Sequence, residues 1–155
     1  NEYLQFSRSS FSEKTEKFNM AELIVSNIKK YENKNISTKL DKTIVMNGRK
    51  NLIQRCINNI IDNSIKYSNN IDIELTKNNN YLYVIIDDDG PGISKKEYSN
   101  VFKPFYKIDK SRSDAKSSVG LGMSIASDVV RSHGGSIVLD KSPQNGLRVK
   151  IIFPF

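Results

Sequence analysis

The sequence predicts an α+β fold, a two-layer sandwich in which a mixed, mostly antiparallel sheet is covered on one face by helices. Two observations carry this expectation. Three stretches repeat apolar residues at helical spacing, and about six short runs have strand character, several of them joined as neighbouring hairpins. No internal repeat points instead to a solenoid.

In chain order, Asn19 can cap a helix through Ala21, Leu23, Ile24 and Ile28, with Glu22 as the acid of a capping box. Residues 36–40 and 43–46 read as two strands about an Asp41-Lys42 turn, and Asn47-Gly48 breaks the chain before a long helix over about 49–67. That helix has an apolar face of Leu52, Ile53, Cys56, Ile57, Ile60, Ile61 and Ile65. Strands at 71–75 and 81–86 flank an Asn-rich turn, and 94–102 reads as a short helix with Ser94 as cap and Glu97 as its acid. Segment 103–119 lacks periodicity and is expected to be a mobile loop, with Phe102 and Phe105 as its core anchors. A helix through Met123, Ile125, Ala126, Val129 and Val130 ends at Gly134-Gly135, and a last hairpin spans 136–139 and 147–153.

Composition narrows the function. At 155 residues, with 37% hydrophobic and 26% charged residues, the chain is one globular domain with a substantial core. No apolar run approaches the roughly 20 residues of a membrane helix. The first residue is Asn1, and the chain reads as a piece of a longer protein. The net charge of +7 would suit phosphates, nucleic acid or an acidic partner. The cations are scattered, apart from Lys103, Lys107, Lys110, Arg112 and Lys116 in one loop, so the continuous stripe of a nucleic-acid surface is missing and no such partner is expected. The single Cys56 excludes an internal disulfide, fits a reducing compartment and sits among isoleucines as a core residue.

Two stretches carry the chemistry. On the long helix, Asn59, Asn63, Lys66 and Tyr67 fall at i, i+4, i+7 and i+8, one polar stripe. A lone amide on a helix usually does no more than face solvent; four polar groups in register are harder to dismiss. An amide oxygen is a hard ligand that suits Mg²⁺ without repelling phosphate, Lys66 supplies a point charge, and Tyr67 offers a flat face to a purine. The second stretch, Asp88-Asp89-Gly90-Pro91-Gly92-Ile93, follows an apolar strand. Asp88 can accept a hydrogen bond from an exocyclic amine, and Gly90 and Gly92 would let a base approach the backbone. Finally, Gly120-Leu121-Gly122-Met123 opens the last helix, where free N–H groups and the dipole favour an anion.

The ordered set Asn-x-x-x-Asn-Ser-x-Lys-Tyr, Asp-x-Gly-x-Gly, Phe-x-Pro-Phe and Gly-Leu-Gly-Met resembles the catalytic ATP-binding domain of bacterial two-component sensor histidine kinases, a branch of the Bergerat-fold ATPases. The resemblance covers residues 18–155 and implies a five-stranded sheet with three helices. It implies ATP and Mg²⁺ as cofactors, with Asn59 on phosphate, Asn63 on the metal, Lys66 on phosphate, Tyr67 near adenine and Asp88 receiving the adenine amine. Gly120 and Gly122 would cradle phosphates, with Lys107 and Arg112 as basic lid contacts. The catalytic group would then be Asn59, Lys66 and Arg112. Gyrase, chaperone and mismatch-repair relatives carry a water-activating glutamate where this chain has Asn59, so the resemblance favours phosphoryl transfer over hydrolysis.

The chain departs from the pattern in two ways. Ser118 stands where the family has a glycine, and the phosphoacceptor histidine is missing. His133, the sole histidine, precedes a helix-ending Gly134-Gly135 and reads as a capping or packing residue. Residues 1–17 read as the tail of a preceding dimerisation and phosphoacceptor domain. The implied partners are that domain, a response regulator and a second copy in the full-length protein. The implied location is the cytoplasmic side of an inner-membrane sensor.

Overall fold

The computed structural model describes residues 12–106 and 122–155. Ten elements follow in order: β1 (Glu16–Asn19), α1 (Met20–Ile28), β2 (Asn35–Leu40), β3 (Val45–Gly48), α2 (Lys50–Tyr67), β4 (Asn70–Lys77), β5 (Tyr81–Asp88), α3 (Gly122–Ser132), β6 (Ser136–Lys141) and β7 (Leu147–Pro154). The main sheet has five strands in the order β2-β4-β5-β7-β6. Only β2 and β4 run parallel; the other neighbours are antiparallel. The three helices cover one face, so the α+β sandwich expected from sequence is the one found.

Period-2 patterning builds the sheet's inner face. Ile71, Ile73 and Leu75 of β4, Leu82, Val84 and Ile86 of β5, and Val149, Ile151 and Phe153 of β7 are buried against the helices. The helical period supplies the opposing layer: Leu52, Ile53, Cys56, Ile57, Ile60 and Ile61 of α2, with Ile125, Ala126, Val129 and Val130 of α3. Burial of each such large side chain stabilises by roughly 1.5–3 kcal/mol, so this interleaving holds the layers together. Cys56 lies within it, its thiol pushed up to about 12 by burial and hence unreactive, as its apolar neighbours suggested. No helix among the described residues is long and apolar enough to cross a membrane.

Asn19 caps α1 as expected, its side-chain oxygen accepting from Glu22 N at 3.0 Å. Three local expectations are corrected. First, β2 and β3 do not form a hairpin. Thr43 N and Oγ1 both donate to Asp41 Oδ1, bending the chain sharply, while Asp41 N still donates to Leu75 O. Thus β2 stays beside β4, and β3 pairs antiparallel with β1, with Phe18 opposite Met46.

The second correction concerns residues 94–102, which form two 3-10 turns, Lys95–Glu97 and Asn100–Phe102, and no single helix. Ser94 makes no cap bond, and Glu97 accepts from the Tyr106 hydroxyl. Too few apolar residues lie at helical spacing here to bury a full amphipathic face.

Third, Phe102 packs on the core as expected but Phe105 does not. Phe105 is 66% exposed at φ 65°, and the next residue, Tyr106, turns inward in its place. The loop beyond, where Lys107, Arg112, Ser118, Gly120 and Leu121 were singled out, lies outside the described residues.

Candidate functional site

Helix α2 brings the amide stripe to one edge of the sheet's covered face. Asn59 and Asn63 are half-buried, while Lys66 and Tyr67 are exposed, with the Lys66 Nζ 5.6 Å from the Tyr67 ring centre. Asn59 Nδ2 donates to Gly122 O at 3.4 Å, a long bond that ties the stripe to the first turn of α3. The amide of Asn63 makes no hydrogen bond to another described residue. Asp62, the acid nearest in sequence, accepts from the Tyr31 hydroxyl. Burial, reinforced by that carboxylate, pushes the Tyr31 phenol up. Asp62 Oδ1 is thus turned toward Tyr31.

The Gly-rich turn lies against the end of the same helix. Asp89 Oδ1 accepts from Asn69 N and Asn70 N, each at 2.9 Å, and Asp89 Oδ2 from Asn70 Nδ2 at 2.7 Å. These donors hold the Asp89 carboxyl below its usual range and lash the turn to the α2–β4 connection. A side chain at Gly90 would put its Cβ 2.7 Å from Tyr67 O. The close approach of the Tyr67 backbone therefore requires a glycine at this position, whatever a ligand does there. Gly92 has a φ of 72°, open to few residues other than glycine. Ile93 packs half-buried on the core.

Asp88 is only 4% exposed. Its Oδ1 accepts from Gly90 N at 2.9 Å and from Leu147 N at 3.0 Å, while Oδ2 has no described donor. Burial pushes its carboxyl up, the two N–H donors oppose this, and the charges of Asp89 and Asp87 add to the rise. The neighbouring Asp87 faces the opposite side of the sheet and forms a two-pronged ion pair with Arg148 at 2.8 Å. A buried carboxylate with one oxygen committed to backbone and the other left over can receive a ligand's amine.

Three of the candidate segments are thus adjacent: the stripe of α2, the Asp88–Ile93 turn and the start of α3 at Gly122. Met123 belongs to the core, with the residue 9% exposed. No group of three His, Cys, Asp or Glu among the described residues could hold a metal. A cation here would draw on the amide oxygens and on the phosphates it accompanies. A surface hollow of about 320 Å³ lined by residues including Glu22, Val25 and Leu40 shares no residue with this site.

Sequence reasoning placed the hairpin turn between β6 and β7 but missed its contact with Asp88. Ser142 Oγ donates to Asp88 O at 2.6 Å and accepts from Gly146 N at 2.8 Å. A Cβ at Gly146 would lie 2.2 Å from Asp88 O and 2.4 Å from Oδ1. Asn145-Gly146 signals a turn in any sequence, and nothing local says that this turn rests on Asp88.

His133 is at the other end of the helix pair. Its Nε2 accepts from Arg49 N at 3.0 Å and its Nδ1 donates to Val129 O at 2.8 Å, which fixes a neutral ring. Burial lowers its pKa, as does the Arg49 charge, against the Val129 bond and Glu13. The expected capping role is met, on the N-terminus of α2.

The profile described as "Histidine kinase-, DNA gyrase B-, and HSP90-like ATPase" matches residues 48–155, and the chain belongs to this family. Within it, the similarity runs to the histidine kinases. The sensor histidine kinase CpxA of Escherichia coli (strain K12) is 32% identical over 108 residues, which are 69% of this chain and 24% of that protein. The mycobacterial sensor histidine kinase MprB superposes with a TM-score of 0.80 at 23% identity, over 91% of this chain and 97% of that one. Full-length ShkA in complex with AMPPNP gives 0.83 at 15% identity, over all of this chain and 35% of that one. The fold is that of histidine kinase catalytic domains, and the chain spans about a quarter of the length of the CpxA relative.

Proposed function

We propose that this chain binds Mg·ATP in the cleft between α2, the Asp88–Ile93 turn and the N-terminus of α3, and donates the γ-phosphoryl group to a histidine on a separate dimerisation domain. The observation that carries the reading is the donor set: a buried Asp88 with a spare oxygen beside a stripe of amides that lacks a usable base. Asp88 would select the adenine amine, and Tyr67 would flank the ring. Asn63 would ligate Mg²⁺, with Asn59, Lys66 and the backbone at Gly122 on phosphate. The metal, when bound, would neutralise charge on the transferring group. Lys107 and Arg112 would complete the phosphate contacts, together with the backbone at Gly120 and Leu121. The bound AMPPNP of the structurally similar ShkA supports a nucleotide in this fold.

Asn59 cannot take a proton from water, and Asp62 is engaged with Tyr31, so transfer to an external nucleophile suits the site better than hydrolysis. A neutral, oriented imidazole needs no strong base. The acceptor histidine, with the stretch up to residue 17 leading in from its domain, would pass the phosphoryl group to a response regulator. The full protein would be a homodimeric inner-membrane sensor with this domain in the cytoplasm.

Calorimetric titration with Mg·ATP tests the binding. Asn63→Ala and Asp88→Ala are each expected to weaken it about tenfold or more, the worth of a hydrogen bond to a charged group. Unchanged affinity in both removes the reading. Mixing the domain with its histidine domain and labelled ATP tests the transfer; an unlabelled histidine would leave a nucleotide-binding regulatory module.

A further inference from the structure

Asp88 is held from below by the β6–β7 turn, and one hydroxyl closes that contact. Ser142 is 4% exposed, and its Oγ satisfies two backbone groups at once, donating to Asp88 O and accepting from Gly146 N. Ser142 N also donates to Gly146 O at 3.0 Å, and Asn145 N to Ser142 O at 3.0 Å, with Asn145 in the left-handed region at φ 68°. This closed turn sets Leu147 N 3.0 Å from Asp88 Oδ1. The chain of contacts runs from Ser142 through Gly146 and Leu147 to the carboxylate. It decides which oxygen of Asp88 is consumed by backbone and which is left over.

We propose that Ser142 is a positioning residue for purine selection, its hydroxyl fixing the β6–β7 turn beneath Asp88 so that the carboxylate reads a 6-amino group. The inference rests on the reading that the cleft holds an adenine nucleotide. Loss of the hydroxyl leaves Asp88 O and Gly146 N unpaired in a buried place and frees Asp88 to turn. A residue that only stabilised the fold would weaken all nucleotides alike. A residue acting through Asp88 weakens chiefly those that carry the amine.

The test compares ATP with purine riboside triphosphate, which lacks the 6-amino group, by calorimetric titration with Mg²⁺ present. Ser142→Ala is expected to lower the preference for ATP about five- to tenfold while leaving affinity for the analogue within about twofold, in line with the worth of one buried hydrogen bond. Ser142→Thr keeps the hydroxyl and is expected to restore the wild-type ratio. Should Ser142→Ala not fold, Ser142→Cys, with a weaker donor and acceptor of similar size, is expected to shift the ratio in the same direction. An equal loss for both nucleotides, or no change in either, overturns the proposal while wild-type selectivity stands. A wild-type chain blind to the 6-amino group overturns the adenine reading as well.

Discussion

The two ends of the α2–α3 pair are built from similar polar groups and end in opposite states. At the end where α2 begins, each group has a partner: Glu13 accepts from Asn51 N and Leu52 N, His133 from Arg49 N, and an Arg49 guanidinium nitrogen donates to Ser132 O and Oγ. At the end where α3 begins, Asn63 and one oxygen of Asp88 have no hydrogen-bond partner among the described residues, and Asn59 spends one amide hydrogen on a long bond to Gly122. Saturated polar groups stabilise the fold, whereas polar groups still open beside a helix N-terminus are what the proposed nucleotide site requires. The contrast also separates the single histidine from phosphoryl chemistry. Its two nitrogens are both spent on backbone.

The largest effect that would break this comparison is expected at Asp88. Asp88→Asn turns an acceptor into a group that can present a donor to an incoming amine. It should weaken Mg·ATP binding about tenfold to a hundredfold. Because burial raises the Asp88 pKa, wild-type affinity should start to fall with acidification above the usual carboxylate value of about 3.9. The asparagine variant should lack that fall. In stability the sign is reversed. A raised folded-state pKa contributes stability present at low pH and lost as pH rises through it, so without nucleotide the variant should be at least as stable as wild type at neutral pH. A clear loss of thermal stability would mean that Asp88 serves the fold rather than the ligand.

Next in size is His133→Gln, at the saturated end. Here burial lowers the folded-state pKa, so the neutral ring contributes stability present above the unfolded value of about 6.5 and lost as pH falls below it. The variant should lose about 1–3 kcal/mol at pH 7.5 and show a flatter dependence between pH 7 and 5 in thermal melts. Its affinity for Mg·ATP should stay within about twofold of wild type. Glu13→Ala, which removes a cap from α2, should cost about 0.5–2 kcal/mol in denaturant titrations and likewise spare nucleotide binding.

What was legible in the sequence follows how local each feature is. The amide stripe of α2 could be read because helical period alone places Asn59, Asn63, Lys66 and Tyr67 in register. The inner-face patterns of β4, β5 and β7 were visible because they are local runs of period 2. The pairing of β2 with β4 was not, since an Asp41-Lys42 turn looks like a hairpin until Leu75 is known to lie beside it. Strand β1 has one buried apolar residue, Phe18, and too little alternation to announce itself. A second constraint on Gly90 was not legible, because only the tertiary structure brings Tyr67 O against it. The turn ending at Gly146 was legible as a hairpin, but its contact with Asp88 through Ser142 was not, because a turn sequence carries no mark of what it rests on.

The most direct measurement is amide chemical-shift mapping of the ¹⁵N-labelled chain titrated with Mg·ATP. Shifts are expected at Gly90, Gly92, Gly122 and Leu147 and at the side-chain amides of Asn59 and Asn63, with Asn51, Leu52 and His133 nearly silent. Shifts gathered at the His133 end or around the hollow beside Val25, with the Asp88 turn unmoved, would contradict the account.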